Sequence, residues 1–125
     1  MATANILLVE DDAGIAGVVT AILEDEGYWV IHRLTAAEAV PLLNTMPIDL
    51  IISDLAGDPP ADFRWIPVQQ LRQVTVAIPI LVCTADLTAI RESPAARGVV
   101  GILPKPFEYS QLIDSVKEIL ACRTP

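Results

Sequence analysis

Residues 6–12 read ILLVEDD, an apolar run that stops at three consecutive acidic residues. Such a short and continuously apolar run is typical of a parallel strand that is covered on both faces. The following segment, 13–26, has apolar residues at helical spacing, namely Ile15, Val18, Val19, Ile22 and Leu23. Gly27 then ends the helix as a C-terminal cap would. The stretch therefore predicts a buried strand, an acidic turn and an amphipathic helix.

The same strand-and-helix unit recurs along the chain. Further strands are predicted at 28–31, 48–53, 78–83 and 99–103, where apolar and β-branched residues are concentrated. Thr35 and Glu38 form a Thr-x-x-Glu capping box for a helix that runs to about Asn44. Later helices fit best at about 66–74, 87–93 and 109–121. Five strands that alternate with five helices predict an α/β fold, a doubly wound parallel sheet with helices on both faces.

The composition suits one folded domain, which we expect to span residues 1–125. Hydrophobic residues make up 53% of the chain and the mean hydropathy is +0.51, which is ample for a packed core. The net charge of −8 repels nucleic acid at long range, so direct binding to DNA is not expected. Because no apolar run approaches the roughly 18 residues of a membrane helix, we expect no membrane association either.

Cysteine and histidine usage narrows the function further. Cys83 and Cys122 lie far apart, without a Cys-x-x-Cys pattern, so we expect reduced thiols in a cytoplasmic protein. His32 is the only histidine, which leaves almost nothing for a histidine metal cluster or a Ser-His-Asp triad. We interpret His32 as an exposed residue at a strand end, and Trp29 and Trp65 as residues that pack partly in the core or on the surface.

Polar side chains follow most of the predicted strands directly. The first strand is followed by Glu10, Asp11 and Asp12, and the third, fourth and fifth are followed by Asp54, Thr84 and the pair Lys105-Pro106. Ligands of open α/β sheets bind beyond the carboxyl ends of the strands, where the strand order reverses. Carboxylates, one hydroxyl and one ammonium group are therefore predicted to converge at one edge of the sheet.

Each of these groups has a chemical reason to be at such an edge. Clustered carboxylates repel one another unless a cation neutralises them, and Mg²⁺ prefers hard oxygen ligands. A carboxylate can also act as the nucleophile in phosphoryl transfer. Lysine supplies a positive charge for phosphate oxygens, and threonine can donate its hydroxyl to one of them. The chain has only two lysines, and one of them is Lys105.

Four short segments resemble the receiver domain of bacterial two-component signalling systems. They read LVEDD at 8–12, IISD at 51–54, VCTA at 82–85 and LPKPF at 103–107, and the similarity covers essentially the whole chain. The resemblance implies a flavodoxin-like receiver fold with the strand order 2-1-3-4-5. It also implies that the domain signals through altered protein–protein contacts and is not an enzyme that turns over a separate substrate.

The resemblance assigns a role to each residue at the predicted edge. Asp54 would accept the phosphoryl group and also ligate Mg²⁺, the expected cofactor. Asp11 would be a direct metal ligand, Glu10 would act through water, and the backbone carbonyl of Ala56 would complete the set. Thr84 would be the switch residue. Lys105 would bind the phosphate, with the Lys105-Pro106 peptide bond cis, whereas Asp12 is expected to cap the first helix.

The resemblance further implies the partners of the domain. The phosphoryl group would come from a sensor histidine kinase or a histidine phosphotransfer protein, and the signal would pass to a downstream protein target or effector domain. Three features depart from the family pattern. Ile102 replaces the usual aromatic switch residue, the loop after Asp54 lacks the usual Met-Pro turn, and Pro94 interrupts the fourth helix.

Other functions remain open at this point. The departures leave room for a degenerate receiver that acts as an interaction module without phosphorylation. A phosphatase of the haloacid dehalogenase type would need a second Asp two residues after the nucleophile, where this chain has Ala56. A flavodoxin-like redox protein would need a phosphate-binding loop after the first strand, where acidic residues would repel a flavin phosphate.

Overall fold

Strands and helices alternate throughout the residues that this computed structural model describes, which are 4–55, 64–85 and 87–123. The strands of this part of the chain are β1 (Asn5–Val9), β2 (Trp29–Arg33), β3 (Leu50–Ser53), β4 (Ile80–Thr84) and β5 (Gly101–Pro104). Its α-helices are α1 (Ala13–Asp25), α2 (Ala36–Leu43), α3 (Ile66–Val74), α4 (Leu87–Ile90) and α5 (Tyr109–Arg123). A short 3₁₀ helix, Ala95–Arg97, lies between α4 and β5.

The five strands form one parallel sheet in the order β2-β1-β3-β4-β5. This order confirms the predicted fold class. It also places β1 and β3 side by side in the middle of the sheet, with Val9 level with Ser53. The residues that follow these two strands therefore emerge next to each other at the carboxyl edge.

The sheet separates two hydrophobic layers, because successive residues of a strand point to opposite faces. Leu7 and Val9 of β1 belong to the layer under α2 and α3, whereas Ile6 and Leu8 belong to the layer under α1 and α5. Every residue of β3 and β4 is buried. The strands that carry the predicted site are thus fixed by packing from both sides.

Three of the predicted strands begin two residues later than the sequence suggested. Ile48, Ile78 and Val99 lie before β3, β4 and β5, although each contributes to the core layer under α2 and α3. Val99 is held in a turn, because its N–H donates to the Pro94 carbonyl at 3.0 Å. Apolar residues that enter the core from a loop are indistinguishable in sequence from strand residues, which explains the shifted boundaries.

The helix starts follow the predicted capping chemistry. Asp12 caps α1 by accepting a hydrogen bond from the Ile15 N–H at 3.0 Å, as expected. Thr35 caps α2 by accepting from the Glu38 N–H at 3.2 Å. The Glu38 carboxylate reaches back to the N–H of Leu34, one residue before the position that a capping box predicts.

Among the described residues, none of the helices has both the length and the hydrophobicity that crossing a bilayer requires.

The fourth helix is shorter than predicted, because α4 ends at Ile90 and not near Ser93. Proline disfavours helical geometry in the residue before it, so Pro94 prevents the helix from continuing through Ser93. The chain instead turns into the 3₁₀ helix, with the Arg97 N–H donating to the Pro94 carbonyl at 3.0 Å. The interruption at Pro94 that the sequence predicted is confirmed.

A buried tryptophan ties this interrupted segment to the start of α3. Trp65 is only 2% exposed, and its indole N–H donates to Glu92 Oε2 at 2.9 Å. The Arg97 guanidinium lies 4.8 Å from the centre of the Trp65 ring and donates from Nε to Glu92 Oε1 at 3.0 Å. Trp65 is thus a packing residue, as expected, and it also anchors a polar network.

The two tryptophans provide a matched pair of variants for testing this packing. Trp65→Phe replaces the buried indole with a smaller phenyl ring and removes the donor to Glu92, so we expect a loss of about 2 kcal/mol in the free energy of unfolding. Trp29 is 62% exposed, so Trp29→Phe should change the free energy of unfolding by less than about 0.5 kcal/mol. Urea unfolding followed by circular dichroism measures both, and equal losses in the two variants would contradict this description of the core.

Candidate functional site at the carboxyl edge of the sheet

Three carboxylates meet where β1 and β3 end. Glu10, Asp11 and Asp54 each offer an oxygen atom, and these atoms lie within 4.8 Å of one another. The Asp54 N–H donates to the Val9 carbonyl at 3.0 Å, which continues the β1–β3 pairing up to the site. Negative groups this close repel one another, and a small hard cation would remove that repulsion. The donor set therefore fits a magnesium ion.

The three carboxylates differ in their access to solvent. Glu10 is buried at 4% exposure, Asp54 is half-buried with a side chain 24% exposed, and Asp11 is exposed. One oxygen of Asp54, Oδ1, accepts a hydrogen bond from the Leu55 N–H at 2.8 Å. Asp54 is thus held in one orientation but can still be reached from outside the domain.

Lys105 reaches the same cluster from the end of β5. Its ammonium nitrogen lies 2.8 Å from Glu10 Oε1 and 3.4 Å from Asp54 Oδ1. Burial by itself lowers the pKa of Lys105, but the hydrogen bond that Lys105 donates to Glu10 and the charge of Asp54 outweigh burial and raise the pKa. Lys105 is therefore a firmly charged cation at the site. The Lys105-Pro106 peptide bond is cis, as expected.

The end of β4 contributes the hydroxyl residue. Thr84 is the last residue of β4 and is 3% exposed. Its carbonyl accepts a hydrogen bond from the backbone N–H of Lys105 at 2.8 Å, which joins the ends of β4 and β5. The structure therefore brings Lys105 and the three carboxylates together in space and joins Thr84 to them through the backbone.

Two further sequence predictions concern this edge of the sheet. Ala56, predicted to supply a carbonyl ligand, lies outside the described residues. His32 was expected to be exposed, but it is half-buried and its Nε2 lies 2.7 Å from the Glu10 carbonyl oxygen. No residue pattern in the sequence signals this contact directly, because the partner of His32 is a backbone atom. The one available hint was that β2 neighbours β1 in the order that the resemblance implied.

Comparison with known proteins identifies the family. The profile described as response regulator receiver domain matches residues 6–117 of this chain. The chain belongs to this family. Phosphorylation and Mg²⁺ are general features of receiver domains, and the carboxylate cluster described above could hold such an ion.

The relatives of this receiver domain include longer regulators. The domain is 31% identical over 124 residues to the transcriptional regulatory protein GlrR of Escherichia coli K12, covering 98% of this chain and 27% of that protein. It is 32% identical over 124 residues to the DNA-binding transcriptional regulator NtrC of Bradyrhizobium sp. strain RP501 Parasponia, covering 97% of this chain and 25% of that protein. The chain thus spans about a quarter of the length of these two relatives.

A solved structure agrees with the fold. The crystal structure of a response regulator receiver protein from Sinorhizobium medicae WSM419 matches this receiver domain with a TM-score of 0.78 at 28% identity, covering 98% of each chain. The agreement extends along almost the whole of both chains. The fold of this receiver domain has therefore been determined experimentally in a protein similar to it.

Cys83, beside Thr84 in β4, provides a test of burial at the site. Burial, the largest influence, raises the pKa of the Cys83 thiol to about 12 from an ordinary 9.0. In Cys122→Ser, a variant that lacks the exposed thiol, we expect native Cys83 to react with Ellman's reagent about 100-fold more slowly than Cys122 does in the unmodified protein. Because the pKa of Cys83 is raised in the folded protein, its protonated thiol contributes to the free energy of unfolding below pH 9.0. This contribution is lost as the pH rises from 9.0 toward about 12.

The control for this experiment is the unfolded protein. In denaturant both thiols should react at similar rates, because burial no longer protects either of them. Rapid reaction of Cys83 in the folded Cys122→Ser variant would show that the end of β4 opens readily.

Proposed function

We propose that this receiver domain accepts a phosphoryl group on Asp54 in a Mg²⁺-dependent reaction. The observation that carries the proposal is the position of Asp54: it lies within 4.8 Å of two other carboxylates, with the Lys105 ammonium 3.4 Å from its Oδ1. Its side chain remains 24% exposed, so a donor can approach it. The proposed nucleophile, Asp54, thus lies beside carboxylates that could bind a cation and beside the positive charge of Lys105.

The reaction needs little from the protein beyond position and charge. A carboxylate oxygen of Asp54 would form a bond to phosphorus while the phosphorus–nitrogen bond of a donor phosphohistidine breaks and the nitrogen keeps the electron pair. Mg²⁺, when bound, neutralises carboxylate and phosphoryl oxygens. Glu10, Asp11 and Asp54 would hold the ion, with the carbonyl of Ala56 as a further ligand.

Lys105 and Thr84 would stabilise the added group. Lys105 Nζ is already 3.4 Å from Asp54 Oδ1, so oxygens carried by Asp54 come within its reach. Thr84 would donate its hydroxyl to one of them and so act as the switch residue. The phosphoryl group would carry close to two negative charges where the Asp54 carboxylate carried one, which would give both side chains new oxygen partners.

We further propose that residues 1–125 act in the cytoplasm as one receiver domain. A sensor histidine kinase or a histidine phosphotransfer protein would supply the phosphoryl group. The signal would pass by altered contacts to a downstream protein target or effector domain, in line with the names of the longer regulators that the chain resembles. With a net charge of −8, this chain would not bind DNA itself.

The chemistry can be tested by intact-mass measurement after incubation with acetyl phosphate. The unmodified protein should gain one phosphoryl group only when Mg²⁺ is present, and Asp54→Asn should gain none. Asp11→Ala should reduce labelling by about tenfold or more, because it removes a metal ligand. Asp12→Ser is the matched control, since it replaces the neighbouring acid but keeps a cap for α1.

Each outcome of this experiment has a clear meaning. Persistent labelling of Asp54→Asn would rule out Asp54 as the acceptor. Normal labelling of the unmodified protein in the presence of a chelator would rule out the role of the metal. An unlabelled protein with an intact fold would instead favour the alternative function, a degenerate receiver that binds partners without phosphorylation.

Ile102 bears on how far a structural change at Thr84 would spread into β5. It is half-buried in β5, level with Val82 of β4, and packs against the core layer under α2 and α3. An isoleucine has no ring that could turn inward when Thr84 moves. We therefore expect phosphorylation to perturb the chain after Thr84 and the start of α4, with little change at β5.

Amide chemical-shift mapping with and without beryllofluoride measures this spread. The expected result is large shifts beside Thr84 and Lys105 and small shifts at Ile102. Shifts at Ile102 as large as those beside Thr84 would show that β5 rearranges despite the missing aromatic ring.

A further inference from the structure

We infer that His32 is a positioning residue for the metal site, which it serves by holding the peptide group between Glu10 and Asp11. The inference rests on the proposed Mg²⁺ site and names a residue of β2 that would orient one of its ligands. His32 touches neither the ion nor the phosphoryl group in this account. It acts through the backbone that carries Asp11.

The contact itself determines which atom donates. His32 Nε2 lies 2.7 Å from the Glu10 carbonyl oxygen. A carbonyl oxygen can only accept, so Nε2 must carry the proton and donate it. The ring is half-buried, which keeps water from competing freely for the same oxygen. His32 thus fixes the orientation of the carbonyl, and with it the plane of the Glu10–Asp11 peptide.

The end of β2 holds both backbone polar groups of Glu10. The Glu10 N–H donates to the Arg33 carbonyl at 3.0 Å, which is the last step of the β1–β2 ladder. β2 ends at Arg33, and α2 begins at Ala36 after its cap residue, Thr35. The His32 ring therefore supplies a donor to the Glu10 carbonyl at the place where β2 turns away from β1.

The residue after Asp11 is fixed as well. Asp12 caps α1 through its side chain, and its carbonyl accepts from the Ala16 N–H at 2.9 Å. The Asp12 N–H also donates to Glu10 Oε2 at 3.4 Å, so the peptide groups on both sides of Asp11 are held by hydrogen bonds. The exposed side chain of Asp11 therefore projects from a backbone with little freedom. Such support of a ligand by surrounding hydrogen bonds commonly determines how tightly a protein binds a metal.

Two substitutions separate the hydrogen bond from the bulk of the ring. His32→Met keeps a side chain of similar length but removes the donor, whereas His32→Gln retains an N–H group that can reach the same carbonyl. Isothermal titration calorimetry with Mg²⁺ measures the dissociation constant without any phosphorylation step. We expect His32→Met to raise it about tenfold and His32→Gln to keep it within about twofold of the unmodified protein.

Labelling kinetics distinguish positioning from a part in the reaction itself. For His32→Met, the Mg²⁺ concentration that half-saturates labelling by acetyl phosphate should rise by the same factor as the dissociation constant. The maximum labelling rate at saturating Mg²⁺ should stay unchanged, because Asp54, Thr84 and Lys105 are intact. A lower maximum rate with an unchanged half-saturating concentration would overturn the inference.

A measurement on the unmodified protein avoids any question of variant folding. Because His32 is the only histidine, its ring nitrogens give unambiguous signals in long-range ¹H–¹⁵N spectra, and Nε2 should carry the proton. An unprotonated Nε2 would overturn the inference, as would Mg²⁺ affinity in His32→Met within about twofold of normal. Failure of the unmodified protein to bind Mg²⁺ at all would instead refute the proposed function on which the inference rests.

Discussion

The repulsion among three carboxylates at one edge of the sheet is the constraint on which this receiver domain depends. Glu10, Asp11 and Asp54 lie within 4.8 Å of one another, and Lys105 opposes their charge by pairing with buried Glu10 at 2.8 Å. One ammonium group cannot neutralise three carboxylates. Negative charge therefore remains at the cluster, and a further cation such as the proposed Mg²⁺ would neutralise it.

The fold keeps these charges together against their repulsion. Packing on both faces fixes β1 and β3 as neighbours, and backbone hydrogen bonds extend their pairing to Asp54. Glu10 is held on its other side by β2, through the Arg33 carbonyl and the His32 ring. Rigid strands thus hold the proposed acceptor and the proposed metal ligands, which is the support that metal and phosphoryl sites need.

Much of this arrangement could be predicted from the sequence, and the reasons are physical. Continuous apolar runs marked the buried strands, and the polar residue after each run marked the edge, so the meeting of Asp54 with Glu10 and Lys105 was predictable. The strand boundaries could not be predicted, because Ile78 and Val99 pack into the core from loops and are residue types that are also common in strands. The contact of His32 was missed because a backbone carbonyl as partner leaves no side-chain pattern.

The partner of Lys105 could not be predicted from the sequence either. The sequence predicts that Lys105 and the carboxylates meet at one edge of the sheet, but not that the Lys105 ammonium lies nearer to Glu10 than to Asp54. A crystal structure of the domain with Mg²⁺ and beryllofluoride would show directly whether Asp54 is the phosphoryl acceptor and which contacts Lys105 makes. We expect beryllium bonded to an Asp54 oxygen, Mg²⁺ ligated by Asp11 and Asp54, and Lys105 in contact with fluoride. Beryllofluoride at another carboxylate, or Mg²⁺ bound away from this cluster, would contradict the central claim that Asp54 is the phosphoryl acceptor.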